Sequence, residues 1–270
     1  MQELYIEPVA MDLAFNQPWE NLKRIEAGVK ARLAASPVPS EERLLLFPEL
    51  SLTGFVTQAP AAFDLHGGDP LVERLRAIAA QNRTALAVGL PERNPRDAAR
   101  PYNTLALLDP EGKIFAAYRK LHLFTLGAAP ESACYSAGEK GVMAEYRGWK
   151  LGLSICFDLR FAGLYHQYAR SGAELLLAPA CWVGGPHKSE QFRTLGAAHA
   201  ILSQAYLASV NRAGRDPAFE YDGAEYVFSP FGENLSKGGP CRLDRAELEA
   251  CRRLAVRSAD RPAYQVEGGI

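Results

Sequence analysis

The sequence predicts an α/β fold with mixed sheets. Three observations carry that expectation. Short apolar runs alternate along the chain with segments whose apolar residues recur at helical spacing. The runs that follow those helical segments are nearly continuous in apolar residues, as in strands sandwiched between layers. A turn signal, Asp109-Pro110-Glu111-Gly112, joins two successive runs into a hairpin, so the sheets are not purely parallel.

The elements follow in order. Leu4–Met11 and Leu44–Phe47 read as strands, and between them Leu22, Ile25, Val29 and Leu33 fall on one helical face. A second helix carries Leu71, Leu75 and Ile78, and a strand covers Ala85–Leu90. Tyr102–Leu108 and Lys113–Ala117 flank the turn and form the hairpin. Then come a strand at 150–155, a helix at 159–170, a strand at 174–179, a helix at 189–204, a strand at 206–211, and strands near 224–229 and 240–243. Segments 92–101 and 127–141 are rich in Pro, Gly and charge and are expected as surface loops. No composition break or long linker interrupts the chain. Residues 1–270 therefore read as one domain, with a C-terminal helix and tail from about residue 245.

Composition narrows the function classes. The chain is 48% hydrophobic and 23% charged with a formal net charge of −1, so it lacks the basic footprint of a nucleic-acid or anionic-membrane binder. No apolar stretch approaches the roughly 18–20 residues that span a bilayer. Met1–Glu7 lacks the basic and apolar regions of a signal peptide. The 5 cysteines are odd in number, scattered and without a Cys-x-x-Cys pair, so a reducing cytoplasm is expected rather than a disulfide framework or zinc site. No cluster with metal-ligand spacing and no Gly-rich phosphate loop is present, so neither metal nor organic cofactor is expected.

Cys156 is the strongest chemical candidate. It ends the apolar run Leu151–Ile155 and precedes Phe157-Asp158-Leu159-Arg160-Phe161, where a helix is expected to begin. A thiol at a strand–helix junction would feel the positive end of the helix dipole, which favours the thiolate. The bland alternative is a small buried residue. Glu49 follows Leu44–Phe47 and Pro48, at a strand end where α/β ligand sites lie, or else it is a solvated acid. Lys120 lies among Tyr118, Leu121 and Phe124, and is either functional or a snorkelling surface cation. A cysteine nucleophile needs a base. None of His66, His122, His166, His187 and His199 has a context aimed at Cys156, though sequence distance leaves a Cys/His hydrolase open.

Taken together, Phe47-Pro48-Glu49, Tyr118-Arg119-Lys120 and Ser154-Ile155-Cys156-Phe157-Asp158-Leu159-Arg160-Phe161 resemble, in order and spacing, the nitrilase (carbon–nitrogen hydrolase) superfamily. The likeness extends to Tyr102-Asn103-Thr104, Gly172–Leu177, Asn211-Arg212-Ala213-Gly214, Ser229–Glu233 and Arg261-Pro262-Ala263-Tyr264. His122-Leu123-Phe124, Glu131-Ser132 and the Asp-Leu-Arg-Phe after Cys156 are most similar to the omega-amidase branch.

The resemblance implies a four-layer α–β–β–α sandwich and hydrolysis of a small amide by water. It implies Glu49 as general base, Cys156 as nucleophile, and Lys120 with the Phe157 backbone N–H as oxyanion donors. Glu131, or failing it Glu139, would be a second glutamate holding Lys120. Arg160 would bind a substrate carboxylate, or serve a structural salt bridge with Asp158 or at a subunit contact. Cys181 and Trp182 would line the substrate pocket. A homodimer or larger assembly is implied, with Phe161, Leu164 and Tyr165 suited to its contact, although core packing would explain the three equally well.

Some positions depart from the branch. His199–Gln204 stands where it has Arg-Ala-Ile-Glu-Asn-Gln, Gln191-Phe192 replaces His-Trp, Glu225 replaces Ser, and Trp182 is bulky. A Glu225 near the pocket would favour a cationic or neutral substrate; otherwise it faces solvent or replaces the lost Glu. The open alternatives are a carbamoyl-amine hydrolase, a deaminated-glutathione amidase, a nitrilase, or a catalytically weak member with a binding or assembly role.

Overall fold

The computed structural model describes residues 3–58, 60–125 and 130–254. In chain order the strands and helices are β1 (Tyr5–Pro8), α1 (Pro18–Ala34), β2 (Arg43–Leu46), α2 (Pro70–Asn82), β3 (Ala85–Glu92), β4 (Tyr102–Leu108) and β5 (Ile114–Arg119). The second half holds β6 (Val142–Tyr146), β7 (Trp149–Leu153), α3 (Ala162–Arg170), β8 (Leu175–Ala180), α4 (Lys188–Ser203), β9 (Tyr206–Asn211), β10 (Ala213–Arg215), β11 (Glu220–Asp222), β12 (Glu225–Phe228), β13 (Cys241–Arg242) and α5 (Arg245–Leu254).

Two mixed sheets form the middle layers. One runs β13-β1-β2-β3-β4-β5, with β1, β2 and β3 parallel and the β3-β4-β5 meander antiparallel. The other runs β12-β9-β8-β7-β6, with β7, β8 and β9 parallel. Strand alternation builds the layers. In the first sheet Leu45, Leu86, Val88, Ala106 and Leu108 face Leu22, Ile25, Val29, Leu71, Leu75 and Ile78 of α1 and α2. Their neighbours Leu44, Leu46, Ala85, Ala87, Leu105 and Leu107 join the core shared with Leu151, Leu153, Leu175 and Leu177 of the second sheet. Tyr165, Tyr168, Phe192 and Ala200 of α3 and α4 close that core from outside. The result is the α–β–β–α sandwich.

Several local expectations change. The segment after Cys156 is a five-residue 3-10 turn, Cys156–Arg160, and α3 starts only at Ala162. β6 and the β10–β11 ribbon were not expected. Tyr165 is core rather than surface, so of the three aromatic and apolar residues suited to a subunit contact only Phe161 and Leu164 stand outward to any degree. The expected tail beyond α5, with Arg261-Pro262-Ala263-Tyr264, lies outside the described residues, as do positions 126–129 of the 127–141 loop.

Candidate active site

Glu49 sits two residues beyond Phe47, whose N–H extends the β2–β3 ladder by donating to Ala87 O at 2.9 Å. Lys120 follows β5, Cys156 follows β7, and Cys181 follows β8. All four side chains therefore gather where strands of the two sheets end, and all four line one cavity of about 420 Å³ including its mouth. The space is small and suits a small substrate.

Backbone geometry at the site is unusual. Cys156 has φ +48° and Leu50, next to Glu49, has φ +49°. Such left-handed positions cost a non-glycine residue energy and persist where surroundings hold them. Gly89 of β3 lies against the Glu49 turn: a Cβ there would sit 2.5 Å from Leu50 N and 2.7 Å from Pro48 O. The close approach of β3 to that turn requires a residue without a side chain.

The charged centre is a closed network. Lys120 Nζ donates to Glu49 Oε1 at 2.7 Å and to Glu131 Oε2 at 2.7 Å. Asn103 Nδ2 of β4 bridges the same two residues, donating to Glu49 Oε1 at 2.7 Å and Glu131 Oε1 at 2.8 Å. Cys181 N donates to Glu49 Oε2 at 2.7 Å and Phe124 N to Glu131 Oε2 at 2.7 Å. Glu49, Glu131, Lys120 and Asn103 are all buried. Glu139 is exposed and pairs with Arg96, so Glu131 and not Glu139 is the second carboxylate beside Lys120.

Burial and charge set the proton affinities. Burial alone would lower the Lys120 ammonium, but the Glu131 and Glu49 carboxylates outweigh it and hold it well above its ordinary range. Glu131 is raised, first by burial and further by the Glu49 charge, with Lys120 offsetting part. The Cys156 thiol is pushed well up, chiefly by burial and then by the Glu49 charge, against a smaller pull from Lys120. The helix-dipole expectation of a lowered thiol is therefore corrected. The turn at Cys156 is too short to focus a dipole, and desolvation dominates.

The rim carries cations. Arg160 stacks on the Trp182 ring at 4.8 Å and donates to Gln191 Oε1 at 2.7 Å. It makes no bridge to Asp158, which is bonded to Tyr118 and His122 instead. Trp182 is pinned by Nε1 donating to Lys188 O at 2.9 Å, and Lys188 lines the cavity beside Arg160. Glu225 is not at the pocket: it accepts from Ala10 N at 2.7 Å and pairs with Arg32. His199 also lies elsewhere, stacked on Tyr165 with Nε2 against Leu159 O at 2.8 Å, and burial lowers its pKa. Asn103 and Lys188 were not singled out as site residues from the sequence. An amide inside the apolar run Tyr102–Leu108 was the available signal for the first.

Residues 9–241 match the family model for carbon-nitrogen hydrolases. The chain belongs to the carbon-nitrogen hydrolase family. This carbon-nitrogen hydrolase is 28% identical over 264 residues to the 2-oxoglutaramate amidase of Bacillus subtilis, covering 94% of each chain. It is 31% identical over 237 residues to the deaminated glutathione amidase of Escherichia coli O157:H7, covering 84% of each. Among solved structures it resembles a cysteine-to-alanine mutant of the Nesterenkonia AN1 amidase of the nitrilase superfamily, with a TM-score of 0.77 and 27% identity over 94% of this chain and 95% of that one. The sandwich and the amidase class agree with the resemblance read from the three sequence motifs. Among the described residues no helix is long and apolar enough to cross a membrane, and no group of His, Cys, Asp and Glu is arranged to hold a metal ion.

Proposed function

We propose that this chain hydrolyses a small, carboxylate-bearing amide in the manner of an omega-amidase, through an acyl-thioester on Cys156. The observation that carries the reading is Lys120 Nζ held at 2.7 Å by both Glu49 and Glu131 in the cavity that Cys156 lines. Burial keeps the resting thiol protonated, so attack needs a base at the moment of reaction. Glu49 takes the Cys156 proton as Sγ bonds to the amide carbonyl carbon. Lys120 and the Phe157 N–H stabilise the oxyanion; removing such a donor costs roughly 3–4 kcal/mol. Glu49 returns the proton to the leaving nitrogen, the C–N bond breaks and ammonia departs. Water, deprotonated by Glu49, then cleaves the thioester, releases the acid and restores the thiol. Glu131 and Asn103 hold Lys120 and Glu49 in register.

The rim supports an anionic substrate. Arg160 and Lys188 line the mouth, and Glu49, the one acid lining the cavity among the described residues, is already paired with Lys120. A guanidinium fork suits a carboxylate, and Trp182 holds it in place. The likeness to a 2-oxoglutaramate amidase and the small cavity favour a 2-oxo-dicarboxylic monoamide. The likeness to a deaminated glutathione amidase supports that larger anionic amide as the second reading. The chain works as one unit, since both sheets contribute to the site. All five cysteines are free, in keeping with a reducing cytoplasm. Phe161 and Leu164 beside the nucleophile turn suit a contact between copies of the chain.

Ammonia release tests the reading across 2-oxoglutaramate, deaminated glutathione, glutamine, uncharged aliphatic amides, nitriles and carbamoyl compounds. The highest kcat/KM is expected for the 2-oxo monoamide. Turnover of nitriles alone, or ammonia from none of them, overturns it.

A further inference from the structure

One buried carboxylate outside the cavity ties the two halves of the site together. Asp158 is fully buried and accepts four hydrogen bonds. Oδ2 accepts from Ile155 N at 2.9 Å and from Tyr118 OH at 2.7 Å. Oδ1 accepts from His122 N at 3.1 Å and lies 2.7 Å from His122 Nδ1. Among the described residues no Lys or Arg pairs with it; the ring that faces it is His122, whose Nδ1 donates a hydrogen bond whether or not the ring is charged.

The placement of these donors is informative. Ile155 precedes the nucleophile, and Asp158 N also donates to Ile155 O at 3.0 Å. Asp158 thus grips both polar groups of the Ile155 backbone and brackets Cys156 and Phe157 between its contacts. That bracket holds Cys156 at φ +48°. Tyr118 and His122 lie two residues before and two after Lys120. Leu121 N donates back to Tyr118 OH at 3.2 Å, which closes the Lys120 side of the network. Burial, and next the Asp158 charge, raise the Tyr118 phenol, so it stays a donor at any working pH. His122 is further fixed by stacking on Phe161 with centroids 3.6 Å apart.

We infer that Asp158 is a positioning residue: through Tyr118 and His122 it sets the separation between the Cys156–Phe157 turn and the Lys120 segment, and so the spacing of the two oxyanion donors. A buried carboxylate without a Lys or Arg partner is costly. Space-filling alone would not require it, and an apolar or amide side chain of the same size would serve. Only an acceptor with four lone-pair sites can hold Ile155 N, Tyr118 OH and the two His122 donors at once. The inference rests on the proposed cysteine mechanism, because it concerns the donors that mechanism uses.

The test compares Tyr118→Phe, His122→Ala, His122→Asn and Asp158→Asn with the unaltered chain. Two rates are read on each: ammonia release from the best amide, and alkylation of Cys156 by iodoacetamide at one fixed pH. Alkylation displaces iodide and forms no oxyanion, so it reports the thiol without the donors. Tyr118→Phe and His122→Ala are expected to lower kcat about tenfold each, the worth of one positioned hydrogen bond. KM should stay within about twofold and alkylation within about threefold. His122→Asn, which restores a short-reach donor, should recover most of the lost kcat. Asp158→Asn turns one acceptor into a donor facing two donors and should lose more; if it does not fold, the Tyr118 and His122 variants decide. Unchanged kcat in both of those variants overturns the inference, and so does a parallel fall of turnover and alkylation. Failure of the mechanism itself reads differently, as an unaltered chain that alkylates on Cys156 yet releases no ammonia.

Discussion

Replacing Asn103 by leucine removes one side chain that bonds both carboxylates of the site while keeping its volume in β4. Asn103 Nδ2 lies 2.7 Å from Glu49 Oε1 and 2.8 Å from Glu131 Oε1, and the whole cluster is buried. A hydrogen bond to a charged group contributes about 1.5–3 kcal/mol. Two bonds at the lower figure amount to about 3 kcal/mol, or roughly 100-fold in rate if the loss falls on the transition state. Each carboxylate keeps Lys120 and one backbone donor, so the site is loosened rather than abolished. The pH dependence has a definite sign. Glu131 is already raised by burial, and losing a donor to its charged form raises it further. Its protonation on acidification weakens the clamp on Lys120, so the acid limb of kcat/KM moves to higher pH. The assay is ammonia release against pH for the unaltered chain and Asn103→Leu. A change of less than about threefold with an unmoved acid limb would refute the role given to Asn103.

Other outcomes follow from the same geometry. Lys120→Met leaves two buried carboxylates without their cation, so thermal unfolding should show a loss of about 3–5 kcal/mol along with loss of turnover; unchanged stability would contradict the buried clamp. Arg160→Ala and Lys188→Ala should each raise KM for 2-oxoglutaramate while leaving an uncharged amide nearly unaffected, and equal effects on both substrates would remove the anion-binding role of the rim. Gly89→Ala drives a methyl into the backbone of the Glu49 turn and should lower kcat with the fold retained by circular dichroism. Because burial raises the Cys156 thiol, its alkylation by iodoacetamide should keep accelerating as pH rises through 9, the ordinary thiol value; a plateau below pH 7 would mean a standing thiolate instead.

Much of the scaffold was legible because its strands are buried. β2, β3, β8 and β9 are buried along their whole length and mostly apolar, and α1 and α2 show the single apolar face that packs on the first sheet. β6 was not legible: it is an edge strand, half-exposed along most of its length, with no buried face to impose alternation. The β10–β11 ribbon is short and largely exposed for the same reason. Within the site, Cys156 stood out by its place at the end of an apolar run, whereas Glu49 and Lys120 were weak signals alone and became legible only through the order and spacing of the three motifs together. Asn103 was harder, because its meaning lies in partners 54 and 28 residues away. The thiol's proton affinity was misread because local sequence reports the turn, whereas burial is decided by what other elements close over it. Glu225 illustrates the same limit: its pairing with Arg32 of α1, 193 residues distant, takes it from the pocket.

The account stands most directly on ammonia release by Cys156→Ala measured beside the unaltered chain, with 2-oxoglutaramate as substrate and circular dichroism to show that both are folded. The acyl-thioester mechanism predicts release by the unaltered chain and background release by the variant. A folded variant that retains most of the activity would contradict it.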